Sequence, residues 1–337
     1  MRQRRPSTHV RGAWIAASAA LLAGALVLSL GVGARGLDPS TVWAALTAAD
    51  PANGDHAVVL SRVPRTAAGL LVGLCLGLAG AVMQGVTRNP LADPGVLGIN
   101  AGAALAVVAG IGAFGIASIA GFIWFAFAGA LAAGLAVYAV ASLGRDGATP
   151  VKLSIAGAAL TAGLTSLLSV VLLSSSETLE RFRFWQVGGI AGRGLDQVGA
   201  AAPFALVGVL AALACARTLN GLALGDDVAR GLGIRVGAAR ALGGASAVLL
   251  CGTATAVAGP VGFVGLVVPH LARLLVGGDY RWLAPATALL APALVLAADV
   301  VGRVVLLPGE VPAGIMTALV GAPVFVWLVR ARKGAAL

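Results

Sequence analysis

The sequence predicts an all-helical, polytopic membrane protein with about ten transmembrane helices, and three observations lead to that prediction. First, 59% of the 337 residues are hydrophobic and 11% are charged, whereas roughly 25% of an ordinary soluble domain is charged. Second, the charges fall in gaps between apolar stretches of about 20 residues, the length that crosses a bilayer core. Third, many glycines and alanines lie inside these stretches, where small residues let helices approach closely in lipid.

Ten apolar stretches are expected to form these helices within one domain that covers residues 1–337. They lie at 13–32, 67–84, 96–116, 119–143, 153–173, 199–216, 241–258, 261–276, 282–300 and 313–329. Tight turns are expected at 110–118 and 259–260, and residues 1–12 are expected to form a tail before a retained first helix. Gly69, Gly73 and Gly77 form a stripe on the second helix, for which close helix packing is a sufficient explanation.

The distribution of lysine and arginine predicts the orientation, because cytoplasmic loops of membrane proteins carry an excess of both. An even number of helices puts both termini on one side, and a cytoplasmic position for them places 16 of the 23 Lys and Arg residues inside. The remaining seven are Arg35, Arg62, Arg65, Arg181, Arg183, Arg193 and Arg303. The net charge of +10 is therefore read as a topology signal, and nucleic acid is not an expected partner.

The motifs indicate neither a built-in energy source nor a catalytic site. The sequence lacks the phosphate-binding loop GxxxxGK[ST], so the chain is not expected to hydrolyse ATP. Gradient-driven transporters usually keep carboxylates in mid-membrane, but here nearly all acids lie in the gaps. The exception is Asp299, and Arg303 follows it at the i,i+4 spacing of a structural or docking ion pair. HExxH, GxSxG and paired-acid motifs are missing, the three cysteines lack metal-site spacing, and no cofactor or metal is expected.

A weak internal repeat is visible at a constant offset of 179 residues. The Ala-Gly-x-Val sequence at 79–82, followed by Pro90, matches the sequence at 258–261, followed by Pro269. Five predicted helices separate the copies, so the second would cross the membrane in the opposite sense, as in the inverted repeats of many transporters. Chance similarity in a chain this rich in glycine and alanine is the alternative.

A short helix is predicted inside the 218–240 gap on the inner side. Asp226 and Asp227 favour the N-terminal end of a helix through its dipole, and Gly231 and Gly233 favour its termination. The alternative from these features alone is a solvated loop.

Taken together, these segments resemble the FecCD-type permease family, the importers of iron chelates, haem and cobalamin. The resemblance covers nearly the whole chain, and the combination of motifs is highly specific. The motifs are RVPR at 62–65, GAVMQG at 80–85, TRNPLADPGVLG at 87–98, FWQVGGIAGR at 184–193, LGDDVARGLGI at 224–234, GPVGFVGLVVPH at 259–270, EVPAG at 310–314 and GAPVF at 321–325.

The resemblance implies an inverted-repeat, type II ABC importer permease in the inner membrane. It implies a second permease subunit, in a homodimer or close heterodimer, two copies of a cytoplasmic ATPase and a separate substrate-binding protein outside. Arg62, Arg65 and Arg303 match outward-facing arginines that dock the binding protein. Thr149 lies near the family's cytoplasmic gate, although Pro150 and Val151 depart from its hydroxyl-rich version. The coupling segment that contacts the ATPase matches Asp226, Asp227, Ala229, Arg230, Gly231, Leu232 and Gly233.

The function implied is import of ferric siderophores, because the sequence at 184–193 resembles the siderophore branch more closely than the haem or cobalamin branches. Haem and cobalamin permeases are the alternatives within the family. From other classes, the alternatives are a gradient-driven secondary transporter and an intramembrane enzyme.

Overall fold

The computed structural model describes residues 7–116, 119–143 and 149–333. These residues form fourteen α-helices, with a 3-10 turn at Pro94–Leu97 before the fourth. The helices are α1 (Thr8–Gly31), α2 (Pro39–Thr47), α3 (Gly54–Val86), α4 (Ile99–Phe114), α5 (Ile119–Ser142), α6 (Pro150–Ser174), α7 (Ser176–Gln186), α8 (Leu195–Ala214), α9 (Ala216–Leu222), α10 (Asp226–Gly231), α11 (Val236–Ala258), α12 (Val264–Val276), α13 (Tyr280–Val305) and α14 (Ala313–Lys333).

Each of the ten predicted apolar stretches falls on a separate helix. In the described part of the chain, seven helices are long and apolar enough to cross a membrane: α1, α3, α5, α6, α8, α11 and α13. The other three stretches form the shorter apolar helices α4, α12 and α14. The all-helical, polytopic class is confirmed, with ten as an approximate count, and the chain is a multi-pass membrane protein.

Two predicted boundaries at the beginning of helices are wrong. Helix α1 starts at Thr8, inside the predicted 1–12 tail, because the Ser7 hydroxyl accepts a hydrogen bond from Val10 N and caps the helix before the apolar stretch begins. Residues 1–6 of that tail lie outside the described residues. Helix α3 starts at Gly54, so Arg62 and Arg65 lie inside it rather than before it. The helix continues through these charges because neighbouring elements supply them with acceptors.

The 218–240 segment is more helical than a connecting loop. It contains the end of α9, all of α10 and the start of α11. The predicted short helix is confirmed: α10 begins at Asp226 and ends at Gly231, and Gly233 follows in a left-handed conformation with φ of 78°.

The centre of the bundle is formed by α3 and α11, which are 78% and 72% buried over their most apolar parts, against 11% for α6 and 17% for α1. The glycine stripe on α3 explains how α13 packs against this centre. A Cβ on Gly73 would overlap the backbone of Pro292, and a Cβ on Gly69 would lie 2.6 Å from Leu296 Cδ2. The predicted packing role of the stripe is therefore confirmed.

The two glycines matched by the internal repeat have different local structures. Gly80 lies within α3, where a Cβ would overlap the backbone of Gly265 in α12. Gly259 follows the last residue of α11 and has φ of 73°. The inverted repeat stays a prediction.

Charged side chains gather at two opposite ends of the bundle, which we name the arginine end (Arg62, Arg65 and Arg303) and the α10 end (Arg88, Asp226 and Arg240). Helices α1 and α13 both finish at the arginine end, where Arg303 donates to Ser29 O. Helix α14 starts there, three residues after Glu310. The described chain therefore begins and finishes at the α10 end.

Candidate functional site

The arginine end is organised around one buried carboxylate, Asp299 of α13, whose side chain is 1% exposed. Arg303, one turn later, donates to Asp299 Oδ2 from Nε at 2.9 Å and also from Nη2. Arg65 of α3 donates to both carboxylate oxygens, with Nη2 2.8 Å from Oδ1 and Nε 3.0 Å from Oδ2. The predicted Asp299–Arg303 pair is thus confirmed as a structural pair, and it is shared with a second arginine.

Two of the arginines also hold the end of α1. Arg62 donates from Nη1 to Leu30 O at 2.8 Å, and Arg303 donates from Nη1 to Ser29 O at 2.6 Å. The last carbonyl groups of a helix have no partner within it, and cations there also interact favourably with the helix dipole. Arg62 and Arg303 are 9% and 2% exposed, so their guanidinium groups are used inside the protein in this conformation.

Arg65 connects the buried pair to the surface. Its side chain is 15% exposed, and its Nη1 donates to Glu310 Oε2 at 2.7 Å, while the Glu310 side chain is 44% exposed. Beside this pair lies a cavity of about 150 Å³ that Arg193 also lines. Burial lowers the pKa of Arg193 from its ordinary value, and its Nε has no hydrogen-bond partner in the described structure.

The α10 end is held together by Asp226, the first residue of α10. Its Oδ1 lies 2.9 Å from Arg240 Nη2 of α11 and 3.6 Å from Arg88 Nη2, which follows α3. The same carboxylate therefore links α10 to both central helices. Arg240 is 5% exposed, so this contact is shielded from water on one side.

A second connection ties α9 to the start of α13. Asn220 Nδ2 donates to Asp279 Oδ1 at 2.6 Å, and Tyr280 N donates back to Asn220 Oδ1 at 2.9 Å. Burial alone would raise the pKa of Asp279, but hydrogen bonds from Arg281 and Asn220 lower the pKa below its ordinary value. This carboxylate is therefore kept ionised at the helix N-terminus, where negative charge is favourable.

Helix α10 presents apolar side chains outside the bundle. Ala229 is fully buried, and Ile234 N donates to Ala229 O at 3.0 Å, so the turn after α10 is well defined. Val228 and Leu232, one turn apart, are 50% and 62% exposed. Because they are four positions apart, the two side chains lie on the same exposed face of the turn outside the predicted spans.

A polar groove runs along α6, the least buried of the long helices. It has a volume of about 800 Å³, and it is lined by Asp93 and Asn100 together with Thr161, Thr165, Ser166 and Ser169 of α6. The hydroxyl groups of Thr161, Ser166 and Ser169 donate to carbonyl oxygens four residues earlier. Burial raises the pKa of the Asp93 carboxyl, although a hydrogen bond from Gly95 N opposes the shift.

Comparison with known proteins identifies the group to which this architecture belongs. The model of the FecCD transport family matches residues 21–331. This chain belongs to the FecCD transport family. Of the motifs that carried the resemblance in the sequence, RVPR and EVPAG lie at the arginine end, LGDDVARGLGI lies at the α10 end, and TRNPLADPGVLG contributes Asp93 and Gly95 to the polar groove.

The FecCD chain is similar over most of its length to other permeases. It is 46% identical to the ferric enterobactin transport system permease protein FepD of Escherichia coli, covering 92% of each chain. It is 40% identical to the probable siderophore transport system permease protein YfiZ of Bacillus subtilis, covering 94% of this chain and 95% of YfiZ. A solved structure described as a metal-chelate type ABC transporter in an inward-facing conformation has a TM-score of 0.81 and 29% identity, covering 94% of this chain and 98% of that one.

The structure brings some predicted site residues of the FecCD chain together and separates others. Arg62, Arg65 and Arg303 meet at one end, while the 226–233 segment forms one compact unit at the other. Thr149 caps α6, since its hydroxyl accepts a hydrogen bond from Lys152 N at 3.3 Å. The docking, coupling and gate roles of these residues stay predictions.

Sequence reasoning missed several partners of these residues. Glu310 lies in the EVPAG motif and Arg88 in the TRNPLADPGVLG motif, and their place in these motifs could have marked them as candidate site residues. Arg240 pairs with Asp226 from fourteen positions away, and nothing in the local sequence marks it. Among the described residues, no group of three or more His, Cys, Asp or Glu side chains is placed to hold a metal ion.

Proposed function

We propose that this chain is the membrane permease subunit of an ABC importer that carries ferric siderophores into the cell. The observation that carries the proposal is α10, a short helix held outside the bundle by Asp226 and exposing Val228 and Leu232. Such a helix suits the transfer of movement from a separate subunit to α3 and α11. The ligand class is supported by the relatives, which are permeases for ferric enterobactin and siderophores.

The α10 end faces the cytoplasm, and both termini are cytoplasmic in the cell's inner membrane. This orientation is supported by the positive-inside rule, because a cytoplasmic position for the termini is expected from the sequence to put 16 of the 23 Lys and Arg residues inside. The arginine end then faces outwards, where a binding protein arrives.

The energy for transport comes from two copies of a cytoplasmic ABC ATPase. The sequence has no phosphate-binding loop, which supports a division of labour between a motor subunit and this chain. Within a single 1–337 permease domain, the 218–240 segment is the coupling segment. Asp227 and Arg230, with side chains 98% and 61% exposed, lie beside the apolar pair Val228 and Leu232 and provide polar contacts around it.

A substrate-binding protein docks at the arginine end. Arg65 is the side chain of the three that reaches the surface, and an acidic partner residue would compete with Glu310 for it. Arg62 and Arg303 contribute by fixing the α1 terminus and Asp299. Charges at the rim of an interface mainly steer the encounter and set its register, which suits a carrier that must bind and leave.

The chelate passes between this chain and a second permease subunit, in a homodimer or a close heterodimer, along the polar groove of α6. Thr161, Thr165 and Ser169 lie on one face of α6, and their hydroxyl oxygens can still accept hydrogen bonds from a hydrated ligand. Many weak hydroxyl contacts let a bulky chelate bind and leave without covalent chemistry on this chain. Thr149, at the inner start of α6, is positioned to influence the gate.

The experiment that tests the ligand class is uptake of radiolabelled compounds by cells from which the chromosomal copy has been deleted. A ferric catecholate, a ferric hydroxamate, haem and cobalamin are supplied separately, with and without the plasmid-borne chain. We expect the chain to restore uptake of at least one ferric siderophore and neither haem nor cobalamin. Restoration of haem or cobalamin uptake alone would contradict the proposal.

A further inference from the structure

An apolar crevice lies between four helices close to the α10 end. Its volume is about 290 Å³, near the lower limit of about 300 Å³ for small-molecule pockets. The walls come from α3, α5, α6 and α11, and the side chains that form them are Met83, Val86, Leu131, Tyr138, Leu153 and Val248. Leu135 at the rim is 67% exposed, so the crevice opens at the periphery of the bundle.

One charged residue, Arg240, lines this otherwise apolar crevice among the described residues. Its Nη2 is used by Asp226, but its Nε is buried and has no hydrogen-bond partner in the described structure. A buried donor without an acceptor is costly. Arg240 and Arg88 together carry one more charge than their shared partner Asp226, so positive charge is in excess there.

We propose that the crevice binds one anionic phospholipid, with an acyl chain between the four helices and the headgroup phosphate at Arg240. Water is a poor occupant, because an ordered water needs two to four polar partners and the walls are almost entirely apolar. A phospholipid supplies both an apolar chain and an acceptor for Arg240 Nε. Basic pockets between membrane helices are known to select anionic headgroups.

The glycines of α11 provide a way to fill the crevice without touching Arg240. Gly244 lines it, and a Cβ there would meet nothing within 4 Å. Gly237, on the same helix, also has open space around its Cβ position but does not line the crevice. Gly244→Leu therefore blocks the site, and Gly237→Leu is the matched control.

The test is native mass spectrometry of the delipidated full-length chain in detergent, titrated with dioleoyl phosphatidylglycerol or dioleoyl phosphatidylcholine. We expect wild-type protein and Gly237→Leu to bind the first phosphatidylglycerol about fivefold more tightly than phosphatidylcholine. Gly244→Leu should weaken both lipids at least tenfold, because each buried methylene contributes roughly fourfold to affinity. Arg240→Gln should weaken phosphatidylglycerol binding more than phosphatidylcholine binding, because both lipids lose the contact to their phosphate but only phosphatidylglycerol also loses a counter-charge, so the preference should disappear.

Unchanged lipid binding by Gly244→Leu, or a preserved preference in Arg240→Gln, would overturn the proposal. Thermal unfolding of each variant checks that it is folded, and Ala245→Leu at the rim of the crevice replaces Gly244→Leu if that variant is unstable. The assay uses the chain alone and no chelate, so its outcome is independent of the transported ligand. The crevice lies close to the α10 end, so its position in the cytoplasmic leaflet follows from the proposed orientation, and the binding assay does not depend on that orientation.

Discussion

Asp299 accepts hydrogen bonds through both carboxylate oxygens from Arg65, a residue 234 positions earlier in the chain, at distances of 2.8 to 3.1 Å. This contact joins α3 to α13 at the arginine end. Because Arg303 uses the same carboxylate and also holds the end of α1, three helices depend on one acidic side chain. Asp299 is therefore the residue whose loss the arginine end should tolerate least.

Asp299→Asn should lower the free energy of unfolding by about 3–5 kcal/mol, because it leaves two arginines without their buried counter-charge. Denaturant unfolding in detergent measures the change. Glu310→Gln is the matched control: Glu310 contacts the same Arg65, but its side chain is 44% exposed, so its loss should cost at most about 1 kcal/mol. Equal losses for the two variants would contradict a central role for Asp299.

Docking of the binding protein should respond to Glu310 and Arg65 in opposite directions. Glu310→Gln frees Arg65 Nη1 and should tighten binding two- to fivefold at low salt, whereas Arg65→Gln should weaken it. Surface plasmon resonance with immobilised permease measures both, and added salt should reduce the difference, since exposed charges are screened. If neither variant changed the affinity, Arg65 would have no part in docking.

The ATPase should bind through the apolar face of α10. Val228→Asp should weaken binding of the ATPase about tenfold, because it would bury a carboxylate without a partner in the apolar part of the contact. Binding is measured with the purified ATPase and the permease in nanodiscs. Leu46→Asp is the control, since Leu46 in α2 is 47% exposed and lies near the opposite end. Similar effects of the two substitutions would remove the support for α10 as the coupling helix.

Asp93 should make the selection of chelates depend on pH. Burial raises the pKa of this carboxyl, so the charge is lost as the pH falls through that raised value. A full negative charge about 4 Å from an anionic chelate opposes it by roughly 1 kcal/mol in water. Uptake of an anionic relative to a neutral ferric chelate should therefore rise as the pH falls, up to about fivefold.

Asp93→Asn provides the control for that pH dependence. The asparagine amide oxygen can still accept from Gly95 N, so the turn that precedes α4 is preserved. The variant should show the high uptake ratio at every pH tested. A pH dependence identical to that of the wild type would place Asp93 outside the pathway.

The elements that the sequence predicted well are those governed by local patterns. The apolar stretches located ten helices, and the order of Asp226, Asp227, Gly231 and Gly233 located α10, because capping and dipole preferences act within one turn. The spacing of Asp299 and Arg303 likewise indicated their pair. Local signals of this kind do not depend on the rest of the fold.

Contacts between distant segments could not be predicted in the same way. Arg62 and Arg65 were expected to precede the second helix because its apolar stretch begins at residue 67. Their acceptors on α1 and α13 are visible only after folding. The contact of Arg240 with Asp226 could not be predicted for the same reason, since it crosses the turn between α10 and α11. Whether a charged side chain can be buried depends on its partners in the fold. A single sequence does not show which residues those partners are.

The dependence of transport on a separate ATPase is tested most directly by comparing two preparations in proteoliposomes loaded inside with an iron trap. One contains the chain alone, and the other contains the chain with its ATPase, ATP and the loaded binding protein. We expect accumulation of ferric siderophore only in the complete assembly, insensitive to a proton ionophore and abolished by a hydrolysis-deficient ATPase. Accumulation by the chain alone, driven by an imposed proton gradient, would contradict this expectation.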